Sequence, residues 1–255
     1  MELSLNGDLK IYYELIDGNN ELPYLIFLHD GLGCCKTWKT FPEKLCRLTG
    51  CPGLLYDRTG YGWSSPCKTP RTLHYLHACA LIELPAVLRT LIEGKPYILT
   101  GHSDGGTIAL IHASERPPLL RAVVSEAAHI FVEPETVAGI KRTCHAFQNG
   151  QLQGLNRCHG EKTVRVFNDW AQTWLSDWFQ QWNIEYLLPA INSPLLLIQG
   201  IRDEYATTRQ LEIISGSVSG SSLTMLVDDC GHIPHREQHQ TVLQTVTAFI
   251  RDTIC

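Results

Sequence analysis

Pro96-Tyr97-Ile98-Leu99-Thr100-Gly101-His102-Ser103-Asp104-Gly105 is the most telling stretch of this 255-residue chain. A short apolar, β-rich run leads directly into a serine flanked by glycines, and a helical stretch from Thr107 to Ser114 follows. This is the pattern G-x-S-x-G in the strand–turn–helix context that gives it meaning. A nucleophile on so sharp a turn sits in a strained backbone conformation, and neighbours with side chains would clash there. So placed, Ser103 projects its hydroxyl from the sheet edge. The start of the next helix offers backbone N–H groups to an anion.

Two further strand ends carry polar residues that complete a set. Pro194 to Gly200 reads as a buried strand and runs into Ile201-Arg202-Asp203-Glu204. Leu223 to Val227 reads as another and runs into Asp228-Asp229-Cys230-Gly231-His232. Serine, acid and histidine thus occur in the order 103, 203, 232, each just past the carboxyl end of a strand, where open α/β sheets build their sites. His235 is an alternative base, and Glu126, at another strand end, an alternative acid. His232 is preferred because Gly231-His232 follows its strand end directly, whereas His235 begins the last helix. Asp228 and Asp229 read as loop or helix-capping carboxylates.

Around these points the chain alternates strand and helix. Leu9 to Leu15 and Tyr24 to Leu28 read as strands joined by the turn Asp17-Gly18-Asn19-Asn20. Further strands are expected at Gly53 to Tyr56 and Arg121 to Ser125. Helices are expected near Thr40 to Leu48, from about Leu73 to Ile92 with a bend at Pro85, and from roughly His235 to Arg251. The run Tyr24-Leu25-Ile26-Phe27-Leu28 is continuously apolar, as in a sheet covered on both faces. The expected fold class is therefore α/β, a doubly wound and mostly parallel β-sheet. From about His129 to Leu188 the chain is polar and helical, without apolar strands. Residues 1–128 and 189–255 are read as the core, and 129–188 as a helical cap inserted after the sixth strand.

Composition bounds the function class. Apolar content of 44% and charge of 18% describe a globular chain with ample core. A net charge of -5 disfavours nucleic acid and anionic membrane as partners. There is no 18-residue apolar run, and Met1 to Gly7 lacks the basic and apolar regions of a secretory signal. The ten cysteines show no C-x-x-C spacing and no zinc-ligand periodicity. They read as reduced thiols in a cytoplasmic protein, a monomer or homodimer, with no metal or organic cofactor.

The chemistry then assigns roles. A neutral serine hydroxyl is a poor nucleophile at pH 7 and needs an adjacent base. His232 would take the Ser103 proton and return it to the leaving group, while Asp203 would hold the imidazole tautomer and stabilise its cation. The developing oxyanion needs backbone donors. The N–H of Asp104, after the nucleophile, is one; Gly31, in the loop His29-Asp30-Gly31-Leu32-Gly33 after the Tyr24–Leu28 strand, is the other. Trp170, Trp174, Trp178 and Trp182 recur every four residues and would form one slowly drifting helical stripe. Such a stripe is either the buried face of a cap helix or, through Trp170, Trp174 and Trp178, an aromatic wall for an acyl or aryl group.

The chain resembles the α/β-hydrolase superfamily over nearly its whole length. The matching pieces are His29-Asp30-Gly31-Leu32-Gly33, Asp57-Arg58-Thr59-Gly60-Tyr61-Gly62-Trp63-Ser64, Gly101-His102-Ser103-Asp104-Gly105-Gly106, Gly200-Ile201-Arg202-Asp203-Glu204 and Gly231-His232. Asp30 stands where the family usually has glycine. The elbow Ser103-Asp104-Gly105-Gly106 is similar to that of the biphenyl-hydrolase-like (valacyclovir hydrolase) branch, with His102 in place of that branch's tryptophan. The resemblance implies that Asp104 binds the amino group of an amino-acid ester; the alternative is a carboxylate bonded locally at the helix start. The expectation is a serine hydrolase acting on a small-molecule acyl substrate, a carboxylic ester or related acyl bond, through an acyl-enzyme. Carbon–carbon bond, thioester, lactone or amide hydrolysis on the same triad is the first alternative. A non-catalytic small-ligand receptor is the second.

Overall fold

Strand by strand, alternate residues point to opposite faces of the sheet, and here both faces are apolar. In the strand Tyr24–Leu28 (β3), Leu25 and Phe27 enter one core cluster while Ile26 and Leu28 enter another. Ile98 and Leu99 divide in the same way in Tyr97–His102 (β5). This is why the central strands read as unbroken apolar runs.

The computed structural model describes residues 1–5 and 9–254; Asn6 and Gly7 of the opening stretch lie outside the described residues. Its eight-stranded sheet has the order β1-β2-β4-β3-β5-β6-β7-β8. The remaining strands are Glu2–Leu5 (β1), Leu9–Ile16 (β2), Gly53–Tyr56 (β4), Leu120–Glu126 (β6), Leu195–Gly200 (β7) and Ser222–Val227 (β8). The pairs β1·β2 and β2·β4 are antiparallel, and every pair from β4 through β8 is parallel. The fold is α/β and mostly parallel, as expected. Strand β1 was not foreseen; only Leu5 of its four residues is buried, and they carry no apolar run.

Helices Phe41–Thr49 (α1) and His239–Ile254 (α10) contribute to the cluster on one face. The other face is covered by Tyr75–Ala78 (α2), Leu84–Leu91 (α3) and Asp104–Ser114 (α4). Between α2 and α3 the chain forms a π turn, Cys79–Glu83. The bend expected at Pro85 therefore lies one turn earlier, where the missing proline N–H cannot close the regular i→i−4 bond.

Between β6 and β7 the described chain forms Pro134–Gln148 (α5), Gly154–His159 (α6) and Thr163–Leu175 (α7). A bridge between Phe131 and Asn183 closes the base of this excursion. Helices Arg209–Ser217 (α8) and Pro234–Glu237 (α9) complete the order.

Candidate active site

The elbow is built by steric necessity. Ser103 sits between β5 and α4 at φ 54°, ψ −118°, a conformation L-residues rarely adopt. Its N–H donates to the Glu126 carbonyl at 2.8 Å, tying the turn to the end of β6. A Cβ on Gly105 would lie 1.9 Å from the Leu28 carbonyl oxygen, and one on Gly101 would lie 2.2 Å from that of Gly105. Only hydrogen fits at either position, which is what permits the nucleophile turn to be so tight.

The three residues singled out at distant strand ends converge. His232 Nε2 lies 3.0 Å from Ser103 Oγ. Its Nδ1 lies 2.9 and 3.0 Å from the two Asp203 oxygens. With Nδ1–H donating to the carboxylate, Nε2 is left as the acceptor for the serine hydroxyl. The Asp203 side chain has no exposed surface. Burial opposes its charge, but His232 and the Tyr205 N–H, which donates at 2.9 Å, outweigh this and hold the carboxyl below its ordinary range. The histidine loop is pinned as well. Glu204 accepts from His232 N–H at 3.2 Å, and Glu237 accepts from the N–H groups of Gly231 and Ile233 at 2.7 and 2.9 Å.

The two alternatives, His235 and Glu126, pair with each other. His235 Nδ1 lies 2.9 Å from Glu126, and the ring packs on Trp38 with centroids 4.6 Å apart. This is a second carboxylate–imidazole pair, buried behind the elbow rather than on the serine.

Asp30 and His102, the two departures from the family pattern, also meet. His102 Nδ1 lies 3.5 Å from Asp30, and its Nε2–H donates to the His232 carbonyl at 2.7 Å. Burial opposes a charge on His102, but the Asp30 hydrogen bond and the Glu126 and Asp30 charges prevail and raise its pKa to about 9. The His102 ring thus braces the backbone of His232. Sequence reading noted both substitutions singly; their juxtaposition spans 72 positions and had no local signal.

The wall opposite Ser103 is a cavity of about 160 Å³ lined by Gly31, His129, Trp170, Trp174, Tyr205 and His232, among others. A Cβ on Gly31 would strike Trp170 at 2.6 Å and lie 3.2 Å from Asp104 Oδ1, so the two expected oxyanion donors occupy adjacent positions on this wall. Trp170 and Trp174 line the cavity. Trp178 does not, and its substrate-binding assignment is corrected: α7 ends at Leu175, Ser176 is extended, and Trp178 stands 49% exposed beyond it. The four-residue spacing continues past the helix that would have given it meaning. His129 and Tyr205, which face the His232 ring at centroid distances of 5.9 and 4.7 Å, were missed; isolated residues in irregular chain leave no periodic trace.

The Asp104 carboxylate points inward. Its Oδ2 accepts from Tyr75 Oη at 3.1 Å and lies 3.8 Å from Arg58 Nη2, and both members of that ion pair are 2% exposed. Trp174 Nε1–H donates to the same tyrosine oxygen at 3.0 Å. Among the described residues no helix is long and apolar enough to cross a membrane.

A family model described as alpha/beta hydrolase family matches residues 25–245. A 2-succinyl-6-hydroxy-2,4-cyclohexadiene-1-carboxylate synthase of Salmonella paratyphi C (strain RKS4594) is 25% identical over 164 residues, 64% of this chain and 59% of the relative. The match thus spans about three-fifths of that relative's length. Among solved structures, a thermophilic esterase from Thermogutta terrifontis superposes with a TM-score of 0.74 at 19% identity, covering 100% of this chain and 97% of the other. The enol-lactonase from Burkholderia xenovorans LB400 gives 0.74 at 19% identity, covering 98% and 99%. At these identities the structural likeness concerns the fold.

Proposed function

Because the chain belongs to the alpha/beta hydrolase family, we propose that it is a serine hydrolase that cleaves a small carboxylic ester or related acyl bond through an acyl-enzyme. The single observation that carries this reading is the continuous Ser103–His232–Asp203 hydrogen-bond chain, at 3.0 and 2.9 Å, opening on a cavity.

In this reading His232 Nε2 removes the Ser103 proton as Oγ attacks the carbonyl carbon. The N–H groups of Gly31 and Asp104 receive the oxyanion, a contribution of roughly 3 kcal/mol per donor in such sites. The imidazolium then protonates the leaving alcohol, and water repeats the sequence to release the acid and free serine. Asp203 keeps Nδ1 protonated throughout. Residues 129–188 act as a cap whose Trp170 and Trp174 cover the acyl group and exclude water. The Asp104 carboxylate serves the internal pair with Arg58 rather than a substrate amine, since its charge already has a buried partner.

The experiment is hydrolysis of short p-nitrophenyl esters together with fluorophosphonate labelling. Ser103→Ala is expected to abolish both while leaving the circular dichroism spectrum unchanged. Undiminished turnover by that variant would remove Ser103 as nucleophile.

A further inference from the structure

A second cavity of about 360 Å³ lies on the far side of the Asp104–Arg58–Tyr75 cluster from the catalytic serine. One helix borders both: Trp170 and Trp174 of α7 line the catalytic cavity, and Val166 lines the second. The mechanism has no use for this space.

Its polar lining is cationic and incompletely satisfied. Arg58 is 1% exposed. Its Nη2 donates to the Asp30 carbonyl at 2.7 Å and faces Asp104, but Nε and Nη1 have no partner among the described residues. Arg71 donates from Nη2 to the Tyr61 hydroxyl and lies over the Tyr75 ring, 4.6 Å from its centroid. Its buried Nη1 is likewise without a partner. Lys162 donates to the Tyr61 carbonyl at 3.0 Å and to that of Ser64, neither of which neutralises it.

On the acidic side, Glu83 accepts from Thr59 N–H at 3.0 Å, and its second oxygen is unpartnered. Arg165 and Asp169 pair with each other at 3.5 Å. Setting that pair aside, Arg58 is ion-paired with Asp104, while Arg71 and Lys162 have no carboxylate oxygen within 4 Å among the described residues. Buried donors in native proteins are almost always satisfied, so orphaned guanidinium nitrogens around an open cavity call for an acceptor. A carboxylate offers two acceptor oxygens and one negative charge to such donors. One part of the wall, Leu5, Ile82, Ala86 and Val166, is apolar and suits hydrocarbon.

We propose that this second cavity binds the carboxylate end of an amphiphilic organic acid, with Arg58 and Arg71 holding the carboxylate and Leu5, Ile82, Ala86 and Val166 covering the chain. The binding does not depend on the ester-hydrolase reading, because no step of it uses Ser103. The carboxylate belongs either to the far end of this protein's own substrate or to a separate acid.

Calorimetric titration of the folded protein with octanoate and with neutral octanamide tests it. Octanoate is expected to saturate one site and octanamide to bind at least about tenfold more weakly. Arg71→Gln is expected to weaken octanoate about 10- to 100-fold, the loss of one charge-assisted hydrogen bond. Ala86→Phe, which fills the apolar end without touching a charge, is expected to remove binding of both; it decides the matter if Arg71→Gln does not fold. Octanoate binding to Ser103→Ala should match the parent, so a failure of the hydrolase reading leaves this measurement intact.

The two sources separate in p-nitrophenyl butyrate assays. Competitive inhibition by octanoate that Ala86→Phe relieves identifies the substrate's own end, and binding without inhibition identifies a separate acid. Equal affinity for octanoate and octanamide, unchanged affinity in both cavity variants, or no saturation by about 10 mM would overturn the proposal.

Discussion

Ser103 is held at positive φ by its surroundings, and that strain is measurable. Ser103→Ala and Ser103→Gly both delete the hydroxyl that meets His232, but only glycine accepts φ 54° without penalty. The glycine variant is therefore expected to be the more stable of the two by about 1 kcal/mol in urea unfolding, even after its larger chain entropy is counted. If the alanine variant proves equally stable, the backbone at 103 is unstrained. At the same scale, Asp203→Asn keeps the shape but inverts the hydrogen-bond polarity toward Nδ1. Esterase kcat is expected to fall about 10⁴-fold with KM little changed. A fall of less than tenfold would shift the acid role elsewhere, Glu126 being the nearest rival in sequence terms. The Asp104–Arg58 pair makes a residue-scale prediction too: an α-amino ester and its des-amino analogue should react at rates within about threefold of each other, because that carboxylate is already matched. A strong amino-ester preference lost in Asp104→Ala would restore the amine-binding role.

Among the elements, the strand β5–helix α4 junction is the least tolerant. Gly105 packs directly on the end of β3, so Gly105→Ala drives a methyl into the Leu28 carbonyl. The expected loss is about 3 kcal/mol or more in chemical denaturation, with activity falling alongside as Ser103 is displaced. Retention of parental stability would mean that α4 can slide away from β3. This intolerance was legible in the sequence, because G-x-S-x-G encodes it in five consecutive residues. The end of α7 was not legible. Nothing local distinguishes Trp174, inside the helix and buried, from Trp178, outside it and exposed. Where α7 stops depends on where the chain must turn back toward the Phe131–Asn183 bridge, a long-range requirement.

For the whole molecule, buried histidines shape the dependence of stability on pH. His102 binds its proton more tightly when folded, with a pKa raised to about 9 by the Asp30 hydrogen bond and neighbouring carboxylates against burial. Its contribution is complete below about pH 6.5 and is lost as pH climbs toward 9. His29 and His129 are shifted the other way, burial being the largest cause, so folding weakens as pH drops below about 6.5 and the unfolded chain takes up protons. The urea midpoint is expected to peak near pH 6.5 and decline on both sides. Replacing His102 by Asn should flatten the decline between pH 6.5 and 9 specifically. An unaltered alkaline limb in that variant would show that His102 carries no charge in the folded protein.

Composition and local pattern alone determined the strand–helix alternation, the nucleophile turn and the ordered serine, acid and histidine. Each of these rests on interactions within a few residues: apolar alternation for a sheet covered on both faces, and glycine where a Cβ has no room. Tertiary structure alone decided that His235 and Glu126 form their own buried pair, that Asp30 and His102 answer each other, and that Asp104 faces Arg58. Those pairings join residues separated by 46 to 109 positions, and their partners are selected by the packing of eight strands and the burial of charge. No local pattern carries that information, because a buried charge is matched by whatever the fold brings within a few ångströms of it.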